Sequence, residues 1–214
     1  ISLELQANNV GVDDAHNVIG VVSIDDLYIS LGNSSIEFGD IAAGGSSSSA
    51  GNIEFTSAHN VPDGHSAEFT ILFSSEEDQW EGNFNVTIHA PVLTVSNPSF
   101  TDAGGDGVWD AGEEITVVVL LNNEGSADHN MYPGVYLSEN SNDAWLPDDM
   151  EFFWFYAIAA GTSMPADFTV TASEDANMGT EVTFTATASE MNCEENCIES
   201  EPFSFTFTIG LPID

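Results

Sequence analysis

The sequence predicts an all-β protein made of two tandem Ig-like antiparallel β-sandwiches, and three observations support this. Short extended runs recur along the chain at regular intervals, with turn residues between them. Apolar and polar residues alternate within these runs, most clearly in "EVTFTATA" (181–188) and "FSFTFTI" (203–209). No segment keeps a helical period for more than about two turns. Many short alternating strands are typical of sandwiches and not of parallel α/β sheets.

The predicted strands are rich in β-branched and aromatic residues and are bounded by Gly, Asn, Asp, Ser or Pro. In chain order they are ISLELQA (1–7), VIGVVSI (18–24), DLYISL (26–31), SIEFGDI (35–41), NIEFTS (52–57), AEFTILFS (67–74), FNVTIHA (84–90), PVLTVS (91–96), EITVVVLL (114–121), GVYLS (134–138), EFFWFYAI (151–158), ADFTVTA (166–172), EVTFTATAS (181–189) and FSFTFTIG (203–210). The segment GGSSSSAG (44–51) is predicted to be a flexible loop or turn.

An internal repeat predicts the domain organisation. The matched positions are Asn8-Asn9 with Asn122-Asn123, Gly11 with Gly125, His16-Asn17 with His129-Asn130, Gly20 with Gly134, FGDIAAG (38–44) with FYAIAAG (155–161), SAEFTILF (66–73) with PADFTVTA (165–172), and FNVTIHAP (84–91) with FTFTIGLP (205–212). Blocks that recur in one order indicate two tandem copies. We therefore predict one sandwich over residues 1–90 and a second over residues 91–214, with the boundary near Pro91.

The first copy is predicted to lack its first strand. In the second copy, PVLTVS and an acidic loop precede ITVVVLL, whereas the first copy begins at the equivalent of that later strand. We expect that processing has removed the missing strand. The alternative is that a neighbouring chain donates a strand to the open sheet edge.

The acidic loop "TDAGGDGVWDAGEE" (101–114) has the spacing of a calcium site. A twelve-residue calcium loop uses oxygens at positions 1, 3, 5, 7, 9 and 12 and a glycine at position 6. The sequence places five of these ligands, which are Asp102, Asp106, the carbonyl of Val108, Asp110 and Glu113. Gly107 stands at position 6, and Gly104 departs from the pattern at position 3. Because strands flank the loop, we predict an EF-like calcium site between strands; the alternative is a solvated acidic turn.

The charge of the chain restricts its partners. It has 214 residues, 36 acidic side chains and no Lys or Arg. Nucleic acid and anionic lipid require Lys or Arg to neutralise phosphate, so neither is expected as a partner. No apolar run approaches the roughly 18 residues of a membrane span, which argues against membrane insertion. Saline adaptation, protease evasion and affinity for minerals are three explanations for the missing cations that the sequence leaves open.

Four segments carry a family resemblance: FGDIAAG (38–44), NVPDGHSAEFTI (60–71), GGDGVWDAGEEITVVVLLNNEG (104–125) and NNEGSADHN (122–130). They resemble Ig-like modules of large secreted proteins of Bacteroidetes, which follow the catalytic domain of gingipain-like cysteine peptidases and occur in other cargo of the type IX secretion system. The resemblance implies an extracellular or cell-surface location, a stalk, spacer or adhesive role, and export within a longer precursor. It implies no peptidase activity, because the family's catalytic domain is not in this sequence.

Other candidate sites are fewer. Cys193 and Cys197 are four residues apart in a polar loop, and in an oxidising compartment they are expected to form a small disulfide. His16 and His129, at matched places beside an asparagine, are expected to have a structural role in a turn. The aromatic residues Trp145, Phe152, Phe153, Trp154, Phe155 and Tyr156 crowd one region. They predict either a strand covered on both faces or an exposed patch that contacts another subunit or a glycan.

These observations favour a non-catalytic extracellular module over an enzyme. We expect a calcium-stiffened structural or adhesive segment of a surface protein or filament, whose partners are other copies of itself, other domains of a larger protein, or glycan. The alternative is an accessory part of a secreted peptidase or glycosidase that positions a substrate without performing chemistry. No catalytic residue is predicted, because no nucleophile motif supports one and carboxylates are too abundant to be informative.

Overall fold

The computed structural model describes residues 1–146, 151–191 and 196–211. Its strands are β1 (Ser2–Leu3), β2 (Gln6–Asn8), β3 (Ala15–Ser23), β4 (Ile29–Leu31), β5 (Ser35–Ile41), β6 (Ser46–Ser48), β7 (Ile53–Ser57), β8 (His65–Ser74), β9 (Gln79–Ile88), β10 (Leu93–Asp102), β11 (Glu114–Asn123), β12 (Pro133–Glu139), β13 (Ala144–Trp145), β14 (Phe152–Trp154), β15 (Ser163–Ala172), β16 (Glu181–Glu190) and β17 (Phe203–Thr208). The protein is all-β, and no helix among these residues is long and apolar enough to cross a membrane.

The chain divides into two compact units, Ile1–Ile88 and His89–Asp214. The division falls three residues before Pro91, next to which the repeat places the boundary. Each unit contains one copy of the repeat and its own buried apolar residues.

The second unit is an antiparallel sandwich of two four-stranded sheets. One sheet has the strand order β10-β11-β15-β13 and the other has the order β14-β12-β16-β17. Alternate residues of β11 and β16 are buried and belong to one apolar core, which Trp109, Phe168 and Phe184 fill with large side chains. Alternation in the sequence therefore directs one face of each sheet inward, as in an Ig-like sandwich.

The first unit has the same plan with one strand fewer. Its larger sheet has the order β5-β3-β8-β9, and the other side contains the three-stranded sheet β1-β7-β4 and the pair β2-β6. Ile53, Phe55 and Phe69 are fully buried between the two sides. Strand pairing shows which strands of the two units are equivalent. β1 and β2 together correspond to β11, β6 and β7 together correspond to β15, and β4 corresponds to β13. No strand described in this unit corresponds to β10.

The structure corrects part of the predicted repeat. SAEFTILF lies in β8, which pairs with β3 and β9. Its equivalent in the second unit is β16, which pairs with β12 and β17, and not PADFTVTA of β15. The prediction was wrong because "EFT" and "DFT" have the same short pattern in strands of opposite sheets, and a three-residue match does not encode a pairing partner.

Two further predictions about elements need correction. Within the segment 44–51, predicted to be flexible, Ser46–Ser48 forms β6 and pairs with β2, because backbone hydrogen bonds need no apolar side chain. The run at 151–158 is not one strand: β14 ends at Trp154, and Ile158 instead forms an isolated bridge with His129.

Candidate metal centre and surface sites

The acidic loop connects two paired strands of the second unit. β10 ends at Asp102, β11 begins at Glu114, and Asp102 is paired with Ile115 across the ladder. The ladder therefore holds both ends of the loop close together. Gly107, at the predicted turn position, has φ of 79°, which is in the left-handed region that favours glycine.

The carboxylates at the two ends of the loop accept backbone N–H groups from inside it. Asp102 Oδ2 accepts from Asp106 N at 2.9 Å, and Asp102 Oδ1 accepts from Gly107 N at 3.3 Å. Glu113 Oε1 accepts from Gly104 N and Oε2 from Asp110 N, both at 2.9 Å. These side chains therefore point into the loop and order its backbone.

The remaining predicted ligands lie between these two carboxylates. Asp106 Oδ1 accepts the N–H of Val108 at 3.0 Å, and the carbonyl of Asp110 accepts the N–H of Glu113 at 3.0 Å. Asp102 and Asp106 thus form one linked pair and Asp110 and Glu113 another. Residues 103–107 and Asp110 are exposed, so a cation from solvent can reach this side of the loop.

Gly104 stands at position 3, where the usual calcium pattern has Asp or Asn, and it lies close to the carboxylates of Asp102 and Glu113. A Cβ on this residue would lie 3.0 Å from Glu113 Oε1 and 3.4 Å from Asp102 Oδ2. A side chain at position 3 would therefore require a small shift of the Glu113 carboxylate.

The donor set fits calcium in its chemistry. Four carboxylates and one carbonyl supply only oxygen, which is the ligand that this hard cation prefers. Within residues 101–114, no three of the acidic side chains have oxygens within 4.8 Å of one another as the loop is described here. A bound calcium ion would therefore replace some of the N–H contacts and draw the carboxylates closer together.

Trp109 anchors the loop, and sequence reasoning did not identify it. Its side chain is fully buried in the core, and its Nε1–H donates to the carbonyl of Glu113 at 3.1 Å. Its own carbonyl accepts the N–H of Gly210 at 2.7 Å. The sequence did contain a signal for this anchor, because Trp109 is the one large apolar residue in a loop rich in acidic residues and glycine. The loop is therefore tied to the sandwich at Trp109, although residues 103–107 are exposed.

The environment of Asp102 favours its charged form. Partial desolvation acts to raise the pKa of this carboxyl, but the backbone N–H groups that it accepts, first of all that of Asp106, outweigh this effect and hold the pKa below its ordinary value. Asp102 is therefore ready to act as an anionic ligand.

The repeated Asn-x-Gly segment is a turn closed by one asparagine side chain in each unit. Asn123 Oδ1 accepts the N–H groups of Val92 and Gly125, both at 3.1 Å, and its Nδ2 donates to the carbonyls of Ala127 and Ile158. Asn123 is 1% exposed, so these bonds satisfy a fully buried amide.

Asn9 closes the same turn in the first unit. Its Nδ2 donates to the carbonyls of Asp13 and Ile41, and its Oδ1 accepts the N–H of Gly11. Asp14 and Asp128 likewise accept equivalent N–H groups, those of Ala43 and Ala160, at 2.8 Å and 2.9 Å. The match of the asparagines in the repeat therefore reflects a shared turn.

His16 and His129 are not equivalent, contrary to the sequence match. His129 forms a bridge with Ile158, and the residue that forms the matching pair with Ile41 is Ala15. In the first copy Ala15 separates Asp14 from His16, whereas Asp128 and His129 are adjacent in the second copy. The sequence match overlooked this difference of one residue. His16 is half-exposed and lies 3.6 Å from Asp40.

His129 is part of a buried polar pair. Its Nε2 lies 2.6 Å from Glu190 Oε1, and the two side chains are 1% and 2% exposed. Its Nδ1 accepts the N–H of Met131 at 3.2 Å, so the ring proton lies on Nε2 and is donated to the carboxylate. The histidine therefore connects the Asn-x-Gly turn to the end of β16, a role in packing that agrees with a structural interpretation.

Cys197 is disulfide-bonded. Cys193, the other cysteine of the chain and its predicted partner, lies outside the described residues.

The aromatic run alternates between the core and the surface. Phe153 and Phe155 pack against the core of the second unit, whereas Trp154 and Tyr156 point outward. Trp145 is exposed on β13, in the other sheet.

The outward rings form two groups, which together we call the aromatic patch: Tyr132, Trp154 and Tyr156 are one group, and Tyr136 and Phe152 are the other. Tyr136 and Phe152 are stacked with ring centroids 4.2 Å apart, and Trp154 lies edge-on to Tyr156 at 5.2 Å. The ring centroids of Tyr132 and Trp154 are 5.7 Å apart. Because Tyr156 is 76% exposed and Trp154 is 38% exposed, described residues of the chain leave this face open.

No family model matches this chain, and no curated protein matches it. It is similar to the crystal structure of the YadV chaperone, with 10% identity over 95% of this chain and 92% of that chain and a TM-score of 0.28. It is also similar to the CsuC-CsuE chaperone-tip adhesion subunit pre-assembly complex from archaic chaperone-usher Csu pili of Acinetobacter baumannii, with 11% identity, coverage of 95% and 90%, and a TM-score of 0.21. Because these TM-scores are low, the description of the architecture depends on the strand pairing alone.

Proposed function

We propose that this protein is a non-catalytic, extracellular structural and adhesive module whose second sandwich is stiffened by calcium. It would act as a segment of a larger surface protein or filament. The resemblance of its motifs to Ig-like modules of secreted Bacteroidetes proteins supports the location and the spacer role. Its partners would be other copies of itself or other domains of that larger protein.

The acidic loop is the observation on which the calcium proposal depends. Asp102, Asp106, Asp110 and Glu113 would hold the ion with the carbonyl of Val108, in a loop tied to the core through Trp109. Calcium would neutralise local repulsion and fix the connection between β10 and β11. Extracellular calcium modules bind with dissociation constants of roughly 0.1 to 1 mM, which suits an exposed site of this kind.

The adhesive part of the proposal depends on the aromatic patch. Large aromatic side chains left open to solvent mark interaction surfaces, because their burial by a partner is favourable. We assign this face to contact with a neutral glycan or with a neighbouring subunit.

An accessory role in a secreted peptidase or glycosidase is the second candidate. The related modules that follow gingipain-like catalytic domains favour it. A catalytic domain encoded in the same reading frame would support this role, and a series of further Ig-like repeats would support the filament.

Calorimetric titration of calcium into the full chain tests the proposed site. Wild type is expected to give a saturable heat, and Asp106→Asn and Glu113→Gln are each expected to weaken binding at least about tenfold, since each removes a charged ligand of similar size. Asp167→Asn is the matched control, because Asp167 is exposed on β15 and is not part of the loop. Equal heats for all four proteins would exclude the loop as the calcium site.

A further inference from the structure

The first unit has an open position where the second unit has β10. In the second unit, β11 lies between β10 and β15. In the first unit, the equivalent segment of β1 and β2 pairs with β7 and β6 but lies at the edge of its sheets. The registers agree closely, because Asn8 pairs with Ser46 as Asn122 pairs with Ser163. The two sheets therefore differ by one whole strand at a defined place.

The apolar residues beside this open position are incompletely covered. Val117 and Val119 of β11 are fully buried, whereas the equivalent Leu3 and Leu5 are only half-buried. On the opposite sheet, Phe207 is buried and packs against Phe100 of β10, with ring centroids 4.9 Å apart. Its equivalent, Val86 of β9, is half-buried. The first unit thus exposes the part of its core that β10 covers in the second.

The turn that follows β2 is already shaped to receive a strand. In the second unit, Asn123 Oδ1 accepts the N–H of Val92 as the chain enters β10, and the N–H of Glu124 donates to the carbonyl of Val92 at 2.8 Å. Asn9 Oδ1 has the same orientation but accepts only the N–H of Gly11. The N–H of Val10, which is equivalent to that of Glu124, has no acceptor among the described residues.

Gly11 preserves room for the incoming backbone. A Cβ on the equivalent Gly125 would lie 2.2 Å from the carbonyl oxygen of Ala90 and 2.5 Å from Val92 N, so only glycine fits there. At Gly11 the same Cβ would meet only Asn9 Oδ1, at 3.1 Å. The first unit thus has the glycine that the crossing requires, although no described segment crosses it.

We propose that the first unit is a strand acceptor. An extended peptide from outside residues 1–214, with apolar residues at alternate positions as in β10, pairs antiparallel with β1 and β2 and inserts its apolar side chains over Leu3, Leu5 and Val86. The occupant is a strand from outside these residues because β10 is paired within the second unit. A strand without acidic side chains is preferred, since the chain carries a net charge of -36. Backbone pairing at an exposed sheet edge is an established mode of peptide recognition.

This inference goes beyond the proposed calcium role and does not depend on it, because the acceptor lies in the first unit and the acidic loop in the second. It supplies a means by which such modules would join to another polypeptide. An open edge left without a strand would be an aggregation hazard.

A peptide with the sequence of residues 91–101, acetylated and amidated at its ends, is the probe. It contains no charged side chain. Added to the full chain, it is expected to slow hydrogen exchange of the backbone amides of residues 2–12 in a saturable manner, and to release or absorb heat with the same midpoint. A control peptide in which the residues equivalent to Leu93 and Val95 are aspartate is expected to give neither effect.

Gly11→Ala is the matched variant of the acceptor. Its Cβ would occupy the path of the incoming backbone and would meet only Asn9 Oδ1, at 3.1 Å. A shift of that half-buried side chain by a few tenths of an ångström relieves this contact, so the circular dichroism spectrum is expected to be unchanged. Peptide binding is expected to weaken at least about tenfold. Unchanged exchange at about 1 mM peptide, or equal effects of both peptides, would overturn the proposal. Protection of residues 2–12 without peptide, together with dimers in sedimentation, would also overturn it, by showing that a second copy occupies the edge.

Discussion

The two carboxylates at the ends of the acidic loop organise the backbone between them. Asp102 and Glu113 each accept two N–H groups from within the loop. The spacing in the sequence selects these two side chains as calcium ligands, and that assignment stays a prediction. The spacing was not sufficient to identify Trp109, because the burial of that ring depends on Phe184 of β16 and on Ile209, which are far along the chain.

The pKa of Asp102 is a test of this arrangement. Because N–H donors hold its folded pKa below the unfolded value, Asp102 contributes stability above about pH 3.9, and this contribution is lost as the pH falls through the lower folded pKa. An NMR titration of the side-chain carboxyl is expected to give a midpoint below the ordinary 3.8. A midpoint at or above that value would show that the N–H contacts do not persist in solution.

Asn123 and Asn9 offer a comparison within one chain. Asn123→Ala removes the acceptor of two N–H groups and the donor to the carbonyl of Ala127, whereas the carbonyl of Ile158 keeps the N–H of His129. It is expected to lower the free energy of unfolding of the second unit by about 2 to 4 kcal/mol. Asn9→Ala acts on a half-buried turn and is expected to cost about 1 kcal/mol in the first unit. Denaturant unfolding of each variant, followed by probes in each unit, measures both values. A larger loss for Asn9→Ala would contradict the assigned difference in burial.

Strand β14 shows how tertiary context divides a uniform run of aromatic residues. The sequence allowed both a covered strand and an exposed patch, and alternation sends Phe153 inward and Trp154 outward. The end of the strand could not be predicted, because Ile158 is positioned by its bridge to His129 from a distant turn. β6 was missed for the same reason. Its serines adopt a strand because they pair with β2, and their own propensity does not predict one.

The aromatic patch predicts separable effects on adhesion and on stability. The double variant Trp154→Ala, Tyr156→Ala is expected to abolish adsorption to an insoluble neutral polysaccharide such as cellulose, or concentration-dependent self-association if the partner is a second copy. Its stability is expected to fall by about 1 to 2 kcal/mol, because Tyr156 faces solvent and Trp154 is only partly buried.

Phe153→Ala is the control for this patch. It faces the core, so it is expected to cost about 2 to 4 kcal/mol and to leave adhesion intact under folding conditions. If the wild-type chain neither adsorbs nor self-associates, the patch has no adhesive role.

The whole chain combines an ordinary apolar β core with a strongly acidic surface. The fold class followed from alternation in regularly spaced short runs without a helical period, because a sheet with one buried face requires alternation. The pairing of the strands did not follow, since the two units share a plan that short sequence matches align incorrectly. The charge is a property of the entire molecule: with 36 acidic side chains and no Lys or Arg, screening by salt and binding of cations are the main means of reducing repulsion.

Thermal unfolding in calcium and in chelator, at matched ionic strength, tests the central claim most directly. With about 10 mM calcium and a dissociation constant of about 1 mM, mass action is expected to stabilise the second unit by about 1.4 kcal/mol and to raise its Tm by roughly 3 to 5 °C, compared with chelator and sodium chloride. The increase is expected to disappear in Glu113→Gln. A Tm that depends on ionic strength but not on calcium would contradict the account, because it would show that screening alone stabilises the fold.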